Sequence, residues 1–211
     1  VYSRSRADHV VHLKAVFEVL RKQSLYAKSS KCSFGQSQVE YLGHIITSEG
    51  VSTDPSKVRS MSEWPTPTTL RALRGFLGLT GYYRKYVHNY GIICRPLTDL
   101  LKKDAFRWNE EADQAFIALK HAMSNAPVLA LPDYTKEFIV ETDASLTGIG
   151  AVLMQGSRPI AYFSKVLAPR HRGKSIYEKE YTALLNAVDK WRHYLQYKHF
   201  VVKTDHHSLK Y

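Results

Sequence analysis

Two aspartates and a glutamate occupy positions from which a small sheet and one helix would bring them together. Asp143 closes a β-rich run in Glu141-Thr142-Asp143-Ala144-Ser145, and Asp205 closes another in Lys203-Thr204-Asp205-His206-His207. If those runs are neighbouring parallel strands, both carboxylates leave the carboxyl edge of the sheet, where open α/β sheets take ligands. Adjacent strands lie about 4.8 Å apart, close enough for two carboxylates to share ions spaced roughly 3.5–4 Å. A third acid is expected from the segment Ser175 to Leu195. There Tyr177, Tyr181, Leu184, Val188, Trp191 and Leu195 recur at alternating spacings of four and three, a stripe predicted to face the sheet. At about 100° per residue, Glu180 falls roughly 60° from the stripe centre and Glu178 about 100° away on the other flank. Glu180 is therefore predicted to reach the sheet edge and Glu178 to be solvated.

Three carboxylates in one small site repel one another, so such a cluster makes sense around divalent cations. Oxygen donors without a nearby Cys or paired His favour magnesium or manganese over zinc. Two such ions activate water and stabilise the leaving oxygen in phosphodiester cleavage. Singly, each residue reads as readily as a turn-forming Asp or a solvated Glu. The joint arrangement is what points to chemistry.

The elements that must hold these residues follow from pattern. Glu137–Thr142, Gly150–Met154 and Pro159–Phe163 predict a three-stranded meander, then a long helix from Ser175 to Leu195 and a strand from Phe200 to Thr204. The order β-β-β-α-β is an α+β signature, with the last strand following its helix as a crossover would. Upstream, Val10, Leu13, Val16, Phe17 and Leu20 predict a helix from Arg6 to Gln23. Val39–Ile46 is β-rich, and Ser48-Glu49-Gly50 turns the chain before Val51, which reads as a hairpin. Asp54-Pro55 opens a helix that Pro65 and Pro67 end. Thr68 or Thr69 caps another, running to about Val87. A further helix is expected near Cys94–Lys103, and Asn109-Glu110-Glu111 begins the next. The expected division is residues 1–53, a helical part at 54–104, and 105–211. Tyr26, Phe34 and Trp64 are expected in cores.

The net charge of the 211-residue chain is +11, and Asp54 to Asp104 is its most basic part, with nine basic against four acidic side chains. A distributed positive field suits a long polyanion such as nucleic acid, although many soluble proteins are basic without binding one. Cys32 and Cys94 offer neither a metal-site spacing nor a disulfide framework, which fits a reducing compartment. No apolar run approaches a membrane span and no signal-peptide layout opens the chain, so no membrane partner is expected. Val1 reads as a cut through a longer polypeptide. Tyr82, Tyr83 and Tyr86, flanking Arg84-Lys85, suit either stacking on bases or packing in a core. His206 and His207 suit either proton transfer or a bystander role.

At the acidic residues the chain also resembles a known family. TDASLTGIGAVLMQ, RPIAYFSKVL, YEKEYTALLNAVDKWRHYL and FVVKTDHHSLKY resemble the ribonuclease H domain of gypsy-type LTR retrotransposons. KCSFGQSQVEYLGHIITSEGV resembles the end of their polymerase palm, and LRGFLGLTGYYRKYV their thumb. The resemblance implies that Asp143, Glu180 and Asp205 are catalytic and hold magnesium (manganese as the alternative), with two ions in the complete domain. It implies that Tyr41, Leu42 and Gly43 form the primer grip, and that the thumb, with Lys57, Arg71, Arg74, Arg84 and Lys85, contacts nucleic acid. Implied partners are an RNA–DNA hybrid, a primer–template duplex and the rest of the Pol polyprotein, with a dimer left open. The implied location is a cytoplasmic retroelement particle or the nucleus. The family's Tyr-x-Asp-Asp motif would precede Val1, and its fourth ribonuclease acid would follow Tyr211. A non-catalytic, connection-like nucleic-acid-binding module or a genomic relic is the alternative; the presence of all three acids favours an active parent.

Overall fold

The helix α1 (Arg6–Lys22) forms where expected, capped by the Ser5 hydroxyl, which accepts from the Asp8 amide. Asp8 in its first turn and Arg21 and Lys22 in its last complement the helix dipole. The computed structural model describes residues 1, 3 and 5–204, and its backbone divides into two compact units, residues 1–39 and residue 40 onward. In the first unit no α1 residue is buried. Tyr26 is 95% exposed, and Phe34 is half exposed with an edge-on contact to Phe17. Both were expected in a core; one helix with a short tail gives them no second layer to bury against.

Next come β1 (Gln38–Tyr41), β2 (His44–Thr47) and β3 (Val51–Thr53), a sheet of order β1-β2-β3. The run expected as one strand from Val39 to Ile46 is instead broken by a turn at Leu42-Gly43. Both of these residues have positive φ, +50° and +74°, the conformation of a tight hairpin turn. Leu in that place hid the turn, because Asn, Asp or Gly is the usual signal. The second turn, at Ser48–Gly50, forms as expected.

Asp54 caps α2 (Pro55–Ser62), accepting from the Ser56 amide, and Thr69 caps α3 (Leu70–Tyr82), accepting from that of Ala72. The helix expected to reach Val87 stops at Tyr82, and Arg84–Tyr86 tighten into a 3-10 turn. Tertiary bonds made by the tyrosines there override the helical pattern. The helix expected near Cys94–Lys103 is the shorter α5 (Arg95–Asp99), and a separate short helix, α4 (Tyr90–Ile93), precedes it. Pro96, tolerated only in a first turn, sets the new start. Asn109 then caps α6 (Glu110–Ser124). Met61, Leu73, Phe76, Tyr86, Leu97 and Leu119 are wholly buried in the core that these helices share, and Trp64 packs on Phe76 at its margin.

The second sheet contains β4 (Phe138–Ala144), β5 (Gly148–Gln155), β6 (Arg158–Val166) and β7 (Phe200–Lys203), in the order β6-β5-β4-β7. The meander pairs antiparallel, and β4 pairs parallel with β7, Phe138 opposite Phe200 and Glu141 opposite Lys203. The α+β class and the crossover are as expected. Between β6 and β7 lie α7 (Pro169–Arg172), α8 (Ile176–Lys190) and α9 (Arg192–Leu195); the single long helix expected breaks at Trp191.

The expected inward stripe holds at Trp191 and Leu195, which are buried, and fails at Tyr177 and Tyr181, which are exposed and stack on each other; Glu180, Ala183 and Ala187 are buried instead. Alanine lets the helix axis lie close to Val140, Ala151 and Leu153, and tyrosines on that face would hold it off. On the opposite face the Asn89–Ile92 segment meets the sheet. A Cβ on Gly150 would stand 3.0 Å from Asn89 Oδ1, one on Gly148 2.9 Å from Ile92 Cγ1, and one on Gly91 3.1 Å from the Ser164 carbonyl oxygen. Among the described residues no helix is long and apolar enough to cross a membrane.

We predict that Ala187→Leu destabilises the fold by about 1–3 kcal/mol through overpacking, read from the urea midpoint. Leu185→Ala, at an exposed site on the same helix, should change it by less than about 0.5 kcal/mol.

Candidate functional site

Two of the three predicted acids lie among the described residues, at the carboxyl end of β4. Burial alternates along this strand: Phe138, Val140 and Thr142 are buried while Glu141 and Asp143 are exposed, so Asp143 projects from the face opposite Thr142. Glu180 is 2% exposed, and its Oε1 accepts from the Ala144 amide at 2.8 Å. The helix thus brings a carboxylate to the backbone one peptide unit from Asp143. The Thr142 hydroxyl beside them is buried and has no hydrogen-bond partner among the described residues. Asp205, with His206 and His207, lies outside the described residues. Among the described residues no group of three His, Cys, Asp or Glu side chains is assembled to hold a metal.

Glu178 is solvated, as expected, and has a structural task. Its Oε2 accepts from the Ser175 amide at 2.9 Å while the Ser175 hydroxyl accepts from the Glu178 amide, a reciprocal cap on α8. The bonds from Ser175 hold the Glu178 carboxyl below its ordinary value.

The second candidate region is the Leu42-Gly43 turn. Tyr41 and Leu42 are exposed, Leu42 by 69%. Three tyrosines at the end of α3 hold the turn from behind. The Tyr82 hydroxyl donates to the Leu42 carbonyl at 2.7 Å, and that of Tyr83 to the Gly43 carbonyl at 2.9 Å. Tyr86 Oη and His44 Nδ1 share a bond of 2.9 Å. The His44 ring also stacks on Tyr82, 5.3 Å between centroids and 14° between planes. Burial, then the Lys85 charge, lowers the His44 pKa, and burial raises that of Tyr86. A Cβ at position 43 would stand 2.6 Å from Tyr83 Oη, so glycine is required on contact as well as dihedral grounds. In the sequence these tyrosines suit either base-stacking or a core. Tyr83 and Tyr86 are core, and Tyr82 is 52% exposed.

The predicted basic contacts divide. Lys57, Arg71 and Arg74 are exposed on α2 and α3. Arg84 donates to the Ser164 carbonyl at 2.9 Å and lies over the Tyr90 ring, and Lys85 lies over Tyr86, its pKa lowered by burial. Sequence reasoning missed a cleft of about 350 Å³ between β6, α7 and α8, lined by Lys165, Arg170, His171 and Lys174 without a carboxylate. The basic run Arg170-His171-Arg172-Gly173-Lys174 was the available signal.

A family model described as an RNase H-like domain found in reverse transcriptase matches residues 108–202. The chain is 37% identical over 212 residues to the retrovirus-related Pol polyprotein from transposon 297 of Drosophila melanogaster. That match covers 100% of this chain and 20% of the polyprotein, so the chain spans about a fifth of its relative. It is 54% identical over 130 residues to the mitochondrial protein AtMg00860 of Arabidopsis thaliana, covering 61% of this chain and 82% of that protein. In fold it is similar to foamy viral protease-reverse transcriptase, solved in complex with an RNA/DNA hybrid. There the TM-score is 0.86 at 23% identity, over 95% of this chain and 28% of that one.

The Glu178 cap carries a pH signature. Its folded pKa lies below the ordinary 4.5, so the cap contributes fully above that value and is lost as pH falls through the lower folded one. The first turn of α8 should therefore lose amide-exchange protection, relative to the intrinsic rate at each pH, as pH falls through the lowered value of Glu178. In Glu178→Ala exchange should already be fast at neutral pH, with no further acid step.

Proposed function

This chain belongs to the retrovirus-related Pol polyproteins of transposons, with an RNase H-like domain of reverse transcriptases in its C-terminal half, and from that premise we propose that the parent protein hydrolyses RNA in RNA–DNA hybrids. Asp143 and Glu180, joined by Asp205, would be its metal-holding carboxylates. The observation that carries this reading is the buried Glu180 carboxylate, bonded to the amide that follows Asp143. A carboxylate is expensive to bury, and the apolar face of α8 gives no packing reason for one there. The hard oxygen donors suit magnesium or manganese. When bound, two such ions would activate water and stabilise the leaving oxygen.

The residues of this chain have separable tasks. Asp143 offers an exposed carboxylate at the strand end. Glu180 presents its own from a fixed orientation, because the Ala144 amide anchors one oxygen while Ala183 and Ala187 anchor the helix. The tip Tyr41-Leu42-Gly43 is read as the primer grip, and exposed Lys57, Arg71 and Arg74 as phosphate contacts along a duplex. The remainder of the Pol polyprotein would supply polymerisation.

In the parent ribonuclease, Asp143→Asn and Glu180→Gln should each lower magnesium-dependent hybrid cleavage by more than about 100-fold. Glu178→Gln, which can keep the cap, should stay within about twofold. Loss of cleavage in Glu178→Gln with normal cleavage in Glu180→Gln would overturn the assignment. Duplex binding by the chain should weaken with salt at a slope of about −0.9 per phosphate contact, and Lys57→Ala, Arg71→Ala and Arg74→Ala should each make that slope shallower by about one contact. A slope near zero would count against a phosphate-tracking surface.

A further inference from the structure

Three consecutive residues of the β1–β2 turn are each held by a different tyrosine of one helix end: Leu42 by Tyr82, Gly43 by Tyr83 and His44 by Tyr86. We propose that Tyr82, Tyr83 and Tyr86 are positioning residues that fix the height and register of this tip, so that it meets the terminal nucleotide of a duplex in one place. The proposal rests on the reading of the tip as the primer grip and deepens it.

Three features support it. First, Leu42 is a non-glycine residue at φ +50°, a conformation that costs an L residue about 1–2 kcal/mol and persists where surroundings over-determine it. Two tyrosine hydroxyls on the carbonyls of this very turn supply that determination. Second, these bonds engage only the inward carbonyl oxygens and the His44 ring, while the Tyr41 and Leu42 side chains stay exposed. An apolar tip with a fixed backbone suits the edge of a sugar or base and carries no charge that would bind duplex by itself. Third, the bracket is tied to the rest of the fold. Its helix end continues into Arg84, bonded to the Ser164 carbonyl, and Gly91, whose amide donates to the Ser164 hydroxyl at 2.7 Å. The tip is thereby referenced to the buried sheet and not left to move as a free hairpin.

The experiment uses the 211-residue chain and primer–template duplexes with 2-aminopurine at either the primer 3′ terminus or an interior position. Tyr82→Phe and Tyr83→Phe keep the rings and remove only the hydroxyls, each worth a modest hydrogen bond. Each should reduce the terminal fluorescence response about three- to fivefold. Overall duplex affinity and the interior response should move by less than about twofold, which a general loss of fold would not allow. An unchanged terminal response in the folded Tyr82→Phe,Tyr83→Phe double variant overturns the proposal. Should Tyr83→Phe not fold, Tyr82→Phe decides alone, because its ring is half exposed. Leu42→Ala separates the two readings. If it abolishes the terminal response while the tyrosine variants do not, the bracket fails and the grip stands. If none of them alters the response, both fail.

Discussion

The strands β5 and β6 carry packed elements on both faces, and at the closest approaches alanine on one side and glycine on the other leave the room. On one face Ala187 lets α8 settle over Val140, Ala151 and Leu153, and Ala183 packs with Ile149 and Leu167. On the other, Gly148, Gly150 and Gly91 leave room for Ile92, Asn89 and the Ser164 backbone. Both candidate regions inherit their geometry from this constraint. A helix held further off could not bring Glu180 to the Ala144 amide. An Asn89–Ile92 segment held further off would carry the tyrosine bracket away with it.

Capping chemistry and strand order were legible in the sequence because they depend on neighbours in the chain. Asp54, Thr69 and Asn109 each cap the helix their spacing marks, and the parallel partnership of β4 with β7 follows from a helix between them. Glu180 is inward and Glu178 outward, as their places on α8 predict, although the stripe that predicts it holds only toward the end of the helix. The expected stripe takes large residues as inward along the whole helix; that holds for Trp191 and Leu195, whereas the first turns of α8 set Ala183 and Ala187 inward in place of Tyr177 and Tyr181. Glu180 lies nearer the buried centre than the tyrosine stripe implied, and Glu178 lies outside on either reading. Tyr177 and Tyr181 misled for the same reason that Leu42 hid a turn. Residue type reports average preference, and close approach or a tertiary hydrogen bond can overrule it. The tyrosine bracket was out of reach, since its partners stand 40 and 42 residues away.

The two regions are built on opposite physical terms. At the strand end a carboxylate is buried with its orientation set by a backbone amide, which costs desolvation and is sustained by the packing of α8. At the hairpin tip apolar side chains are exposed and the polar backbone is satisfied from behind, which costs backbone strain and is sustained by three hydroxyl or ring bonds. Each is a local departure from what propensity would choose, of the kind that concentrates at functional sites.

One short segment serves both. From Tyr82 to Ile92 the chain holds the hairpin with its first tyrosines, then donates from Arg84 and the Gly91 amide to Ser164, and lays Asn89 and Ile92 on β5. Ser164 is 2% exposed, so its hydroxyl and carbonyl have little access to water and leaving them unpaired would be costly. Asn89 itself takes a left-handed φ of +57° to turn the chain onto the sheet, and it is the residue before Tyr90, whose hydroxyl bonds Thr80 inside α3. Bending this segment would break bonds at both ends at once. Within this unit the hairpin tip and the sheet that bears Asp143 are therefore joined through packed elements.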